Sequence, residues 1–195
     1  MLVEKSVRGL IAAFRSSEPT PGGGSASALA GAVGAALIAM VAGIPRPRAT
    51  SPADLERLAA AGRRSAQLSD ELCALIDRDS DAYMAVVAAY TLPKASEEEA
   101  RRRTAAIQDA LAEAAAVPLD VMRKCVHALD ASAAAAALGN ANASSDVQVA
   151  IELLTAGLRG ARANVEVNLA GLKDARRVEE IRAELSRLTS RHRPE

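Results

Sequence analysis

The chain has 195 residues, half of them hydrophobic but only 2% aromatic, with 24 basic and 24 acidic side chains. That size and composition fit one domain over residues 1–195 with a core of Ala, Leu and Val. Balanced charge excludes a field that would draw nucleic acid or an acidic membrane, and so few aromatic rings exclude a base-stacking surface.

In chain order the first expectation is a helix over residues 3–15, with Val3, Val7, Leu10, Ile11 and Phe14 on one face. Next comes Pro19-Thr20-Pro21-Gly22-Gly23-Gly24-Ser25. Its prolines bar helix, its glycines release the backbone, and Ser25 is a good N-cap for the helix predicted over residues 26–44. The loop either reverses the chain or leaves helix N-terminal amides open to an oxyanion or polarised carbonyl. The helix behind it is apolar nearly all round. Val33, Leu37, Met40, Val41 and Ile44 form a bulky stripe expected to fill the core. Ser27, Gly31, Ala35 and Ala39 form a small-residue row opposite, which lets another backbone come close. The run is long enough to cross a bilayer, but it lacks a Trp/Tyr belt and the rest of the chain is charged and amphipathic, so no membrane span is expected.

Pro45 to Thr50 reads as an extended basic connection, and Ser51-Pro52 as the capped start of a long third helix that Leu92-Pro93 ends. Ser96 and Glu99 form a capping box for a fourth helix, which Pro118 is expected to kink or split. Gly139-Asn140 is a stop signal, and residues 140–145 a turn. A fifth helix follows from Ser145, with small residues Gly157, Gly160 and Ala161; Lys173-Asp174 breaks it before a last helix to Thr189 and a frayed tail over 191–195. No strand survives, so the class is all-α, a bundle of about five to six helices.

Cys73 and Cys125 read as small core residues in a reducing cytoplasm, and no secretory signal is visible. His127 and His192 have no Cys companion at ligand spacing, so no metal site is expected. Asp77-Arg78-Asp79-Ser80-Asp81 alternates like a calcium loop, but Ala82 and Ala88 stand where glycine and glutamate are needed. Helical geometry puts Asp77 and Asp81 on a solvated edge. Asp79 instead lines up with Leu72, Leu75, Tyr83, Val86 and Tyr90. A carboxyl there loses hydration and becomes either a general acid/base or a core aspartate satisfied by backbone or arginine. Asn164 and Asn168, one turn apart on the Gly157/Ala161 face, either bond another helix or read the edge of a heterocycle. Asp146 and Gln148 offer an acceptor and an amide at the start of that helix, where an acid also complements the helix dipole.

The glycine loop with Gly34 to Val41, the Asp77–Tyr83 run, Leu92-Pro93-Lys94, Gly139-Asn140 with Ser145–Ala150, and Asn164–Leu169 resemble, in order, the cyclodeaminase/cyclohydrolase family. The resemblance implies a helical bundle that forms a homodimer and acts on 5,10-methenyl- or 5-formimino-tetrahydrofolate, with no cofactor beyond that substrate. It implies that Asp79 is the acid/base and that Pro21, Gly22, Gly23, Gly24 and Ser25 bind folate. Asn164, Asn168, Asp146 and Gln148 become the expected pterin contacts. Where relatives carry a Thr-x-Gly-Lys-Lys-type segment this chain has Pro45-Arg46-Pro47-Arg48-Ala49-Thr50, and Arg46 and Arg48 are expected to hold the glutamate tail. That departure keeps a second reading open: a non-catalytic folate-binding or dimeric helical scaffold.

Overall fold

A computed structural model describes residues 1–45 and 51–190. Arg46, Arg48 and the tail beyond residue 190 lie outside the described residues. Six α-helices and one 3-10 turn make up the described chain, with no strand: α1 Val7–Phe14, α2 Gly23–Gly43, α3 Pro52–Thr91, α4 Glu97–Leu138, α5 Ser144–Leu169 and α6 Ala175–Ser190, the 3-10 turn Ala141–Ala143 preceding α5. The helix ends follow local chemistry. Ser51 accepts from the Asp54 amide at 3.1 Å with Pro52 at the first position, and Ser96 and Glu99 close a reciprocal capping box. The Asn140 side chain accepts from the Asn142 amide and donates to Pro45 O at 2.7 Å, tying the turn before α5 to the end of α2.

α2 is the hub, packed against α3, α4 and α5. Which side it buries corrects the sequence expectation. Gly24, Ser25, Ser27, Ala28, Gly31, Ala32, Gly34 and Ala35 face inward with Ile38 and Val41, while Val33 and Met40 are 44% and 45% exposed and Leu37 and Ile44 only half-buried. Three neighbours crowd one short helix, and only small side chains let their backbones close on it. A Cβ on Gly157 would lie 2.8 Å from Ser27 O, one on Gly160 2.4 Å from Ser27 Oγ, and one on Gly34 2.9 Å from Ala150 O. The helices α2 and α5 therefore meet nearly backbone to backbone, in antiparallel register. On the other side the Ser69 hydroxyl donates to Ala32 O at 2.9 Å, and Gly62 packs on Ala42. Although α2 is long and apolar enough to cross a bilayer, these contacts engage it as the central helix of a bundle.

Two further expectations change. Helix α1 is shorter than its apolar pattern, starting at Val7 behind a Ser6 cap, and Val7 and Ile11 stay exposed. Helix α4 runs unbroken through Pro118 for 42 residues, rather than dividing there. Cys125 is wholly buried beside Gly31 and Gly157, its thiol pushed up to about 12 by desolvation, and Cys73 is half-buried; both are free. The carboxylate of Asp77 accepts from the amides of Leu2 and Val3, fastening the N-terminal segment to α3.

Because α3 and α4 are 40 and 42 residues long and α2 only 21, their joined ends reach past the N-terminus of α2. Both tyrosines of the chain, Tyr83 and Tyr90, lie on this overhang, where Arg103 sits 5.6 Å over the Tyr90 ring.

Candidate active site

Where the overhang begins, a cavity of about 290 Å³ opens between the α2 N-terminus, the middle of α3 and α4, and the end of α5. Pro19, Thr20, Gly22, Gly23 and Gly24 form one wall, Asp79, Tyr83 and Val86 the second, Ala114, Asn164, Val167 and Asn168 the third.

Helix α2 begins at Gly23 behind Gly22, not behind Ser25. Ser25 lies inside the first turn, wholly buried, and caps nothing. Its hydroxyl is 2.9 Å from both Ile76 O and Asp79 Oδ2, and 3.3 Å from Ser80 Oγ. Acceptors on α3 thus win the hydroxyl from the local cap, and Ser25 becomes the residue that holds Asp79. Gly24 is what lets the carboxyl in: a Cβ there would sit 2.0 Å from Asp79 Oδ1. The amides of Gly23 and Gly24 remain as first-turn donors, which carry the positive end of the helix dipole.

Asp79 is half-buried, one turn past Leu75 and Ile76 and one turn before Tyr83, where the apolar stripe of α3 leaves the core. Burial raises its pKa above the ordinary carboxylate range, while the Ser25 hydroxyl and amide pull the other way; among the described residues no cation takes part. The group is therefore neither in bulk solvent nor locked in an ion pair, and its proton affinity exceeds that of an ordinary carboxylate.

On α5, the Asn164 amide nitrogen donates to Gly160 O at 2.9 Å, and that of Asn168 to Ala114 O on α4 at 2.6 Å. Each amide thus gives one of its two N–H donors to a backbone carbonyl, and both side chains line the cavity.

Other expected site residues fall elsewhere. Asp146 is half-buried in the first turn of α5 and Gln148 is exposed on the next. At about 1.5 Å per residue they lie roughly 27 and roughly 24 Å from Asn164 along the helix, and neither lines this cavity. The dipole reading explains Asp146 without a ligand. Pro21 shapes the loop without lining the cavity, whereas Pro19, Thr20, Tyr83, Val86, Ala114 and Val167 line it and were not singled out as site residues. Tyr83 and Val86 were visible as the continuation of the Asp79 stripe, and Pro19 and Thr20 as part of the glycine-loop motif; Ala114 carries no signal a sequence shows.

Comparison with known proteins identifies relatives of the whole chain. Residues 6–187 match the formiminotransferase-cyclodeaminase family profile. The chain is 39% identical, over 96% of its length and 90% of the relative's, to methenyltetrahydrofolate cyclohydrolase of Methylorubrum extorquens. It is 35% identical to formimidoyltransferase-cyclodeaminase of Rattus norvegicus, of which it spans 32%. The crystal structure of formiminotetrahydrofolate cyclodeaminase from Thermotoga maritima superposes with a TM-score of 0.84 at 28% identity, covering 96% of this chain and 90% of that one. The small-residue hub, the aspartate it admits and the paired amides are thus set in a fold shared nearly end to end, and the chain belongs to the formiminotransferase-cyclodeaminase family.

Proposed function

We propose that the chain is a folate one-carbon enzyme that hydrolyses 5,10-methenyltetrahydrofolate to 10-formyltetrahydrofolate. One observation carries the reading: a half-buried aspartate of raised proton affinity packs against a helix N-terminus at the edge of a largely uncharged cavity. The methenyl bridge is a delocalised cation, which the Asp79 carboxylate attracts in a site of low polarity. Water adds to the methenyl carbon and gives one proton to Asp79, leaving a tetrahedral carbinolamine. Its hydroxyl proton then passes to solvent as the C–N5 bond breaks and Asp79 hands its own proton to N5. One water is consumed, one proton is released, and N10 keeps the formyl group. The carbon keeps its oxidation state throughout, so the chemistry asks for no redox cofactor. The Gly23 and Gly24 amides orient the developing oxygen. The oxygens of Asn164 and Asn168 accept from ring N–H groups of the pterin, and Arg46 and Arg48 hold the glutamate tail.

The Thermotoga neighbour favours a second reaction on the same site. There N10 of a 5-formimino substrate, protonated on its formimino nitrogen, attacks the formimino carbon; Asp79 takes the N10 proton and passes it to the departing amino nitrogen, which leaves as ammonia while the methenyl product keeps the positive charge. Absorbance of methenyltetrahydrofolate separates the two, since hydrolysis consumes it and cyclodeamination produces it; neither change would leave the scaffold reading. Asp79→Asn is expected to lower turnover by about two orders of magnitude or more with folate affinity within about threefold. Unchanged turnover would remove the acid/base role.

In the same reading the enzyme works in the cytoplasm as a homodimer. The cavity is at the small end for a ligand site and suits a bicyclic ring without its tail. Exposed Val7, Ile11, Val33 and Met40 offer apolar surface that a second copy would cover. Light scattering at micromolar concentration tests the assembly: a monomer mass refutes it.

A further inference from the structure

We infer that Pro118, which does not line the cavity, sets the hydrogen-bonding sense of the site through Asn168. Pro118 is buried in the interior of α4 and has no N–H. In an unbroken helix its partner would be the carbonyl four residues back, Ala114 O, and the proline ring also pushes that carbonyl outward. Ala114 O is the atom to which the Asn168 amide donates, at 2.6 Å, from the facing helix. A buried carbonyl left without its helical bond needs another donor, and Asn168 supplies it.

The consequence lies at the other end of the amide. With one N–H committed to Ala114 O, the Asn168 amide is held in a single sense at the cavity it lines, its oxygen and second N–H left for a ligand. Asn164 is fixed in the same sense by Gly160 O, the carbonyl four residues back in its own helix. Two amides of fixed orientation, one helical turn apart, thus line one wall. Such a wall takes a ring edge whose donors and acceptors match the amides as they are held and disfavours the same edge turned over, because a buried acceptor facing an acceptor leaves both unpaired. This deepens the folate reading and rests on it: the hydrogen-bonding edge of the pterin lies against α5, and Pro118 is a positioning residue that keeps the Asn168 amide turned to meet it.

The test is Pro118→Ala, which returns a helical N–H to Ala114 O and leaves the Asn168 amide free to turn over. Three proteins are compared with the native one: Pro118→Ala, Asn168→Ala and the double variant. The Asn168 side-chain NH2 resonance, assigned by its disappearance in Asn168→Ala, reads the positioning directly and without folate. It is expected to be protected from solvent exchange in the native protein and to lose that protection in Pro118→Ala. For methenyltetrahydrofolate, Pro118→Ala is expected to raise KM on the order of 3- to 10-fold, the worth of one hydrogen bond, with kcat within twofold. In the Asn168→Ala background the same substitution should add nothing. An NH2 group that exchanges freely in the native protein overturns the inference with no change made at Pro118. So does a KM effect of Pro118→Ala that is as large without Asn168 as with it. Absence of any turnover in the native protein would instead remove the folate reading, and the exchange measurement would still decide the role of Pro118.

Discussion

Gly24→Ala isolates the feature that admits Asp79. The new Cβ would stand 2.0 Å from Asp79 Oδ1 and 2.5 Å from Cγ, where ordinary contact starts at 3.4 Å. The carboxyl must therefore retreat by more than an ångström, and its 2.9 Å bond from the Ser25 hydroxyl cannot survive the move. Backbone strain does not enter, because no glycine of the described chain has a positive φ and Gly24 is already helical. Alanine favours the helix by about 1 kcal/mol, whereas forcing a methyl into occupied space costs about 1–3 kcal/mol, so the net loss of stability is about 2 kcal/mol at most. The protein stays folded. Turnover does not: displacing a reacting group by about 1 Å costs about 100-fold. Methenyltetrahydrofolate absorbance gives kcat, a thermal melt gives stability, and Gly43→Ala is the control, since nothing lies within 4 Å of its would-be Cβ. A Gly24→Ala enzyme that keeps kcat within threefold of native would refute both the placement of the acid/base and its dependence on this glycine.

Other consequences can be measured without substrate. The folded state raises the pKa of Asp79, so it binds more protons there than the unfolded chain, and stability falls as pH rises through the folded pKa. Asp79→Asn removes that loss; its melting temperature should exceed the native one at neutral pH, and the gap should close toward acid. A constant gap across the titration would contradict it. Ser65 is wholly buried and its hydroxyl has no partner among the described residues, so Ser65→Ala should stabilise by about 1 kcal/mol, raising the melting temperature by roughly 2–4 °C; a lower melting temperature would show that the hydroxyl is satisfied. The Arg123 guanidinium meets Glu184 in a two-point bridge, 2.7 and 2.8 Å, that ties α4 to α6. With the two side chains 41% and 23% exposed, Glu184→Gln should cost no more than about 1 kcal/mol. Arg123 holds Glu184 below the usual glutamate range, so this stabilisation is present at neutral pH and is lost as pH falls through the folded pKa. Denaturant melts at several pH values check both the size and the direction.

Sequence reasoning reached Asp79 because its signal was positional: one acid in register with Leu72 and Leu75 must meet the core edge wherever the helix packs. The paired asparagines on a small-residue face were visible for the same reason. The orientation of α2 was not. A helix apolar on every side has no preferred inward face, and bulk pointed the wrong way, since crowding by three neighbours selects for smallness. Ser25 misled for a related reason. As a cap it competes for a local amide, but the tertiary acceptors Ile76 O and Asp79 Oδ2 take its proton, and neither is visible from its own neighbourhood. Asp146 and Gln148 fell outside the cavity because a motif shared in order along a chain does not say which end of a 26-residue helix faces which neighbour.

The groups that give the cavity its character owe their positions to atoms that are missing. Gly24 lacks the Cβ that would exclude Asp79, and Pro118 lacks the N–H that would engage Ala114 O. The first absence lets an acid approach a helix N-terminus without a cation; the second ties an amide down by its donor end. Neither residue offers a side-chain functional group, so a search for chemistry-bearing side chains does not show what either absence does. Polar substitutions are tolerated poorly in such a place, because each added donor or acceptor would compete for Asp79 or Asn168 in a space too tight for water to compensate. A bundle rich in alanine and glycine, with almost no aromatic bulk, is therefore a means of bringing backbone close enough to do the work of side chains.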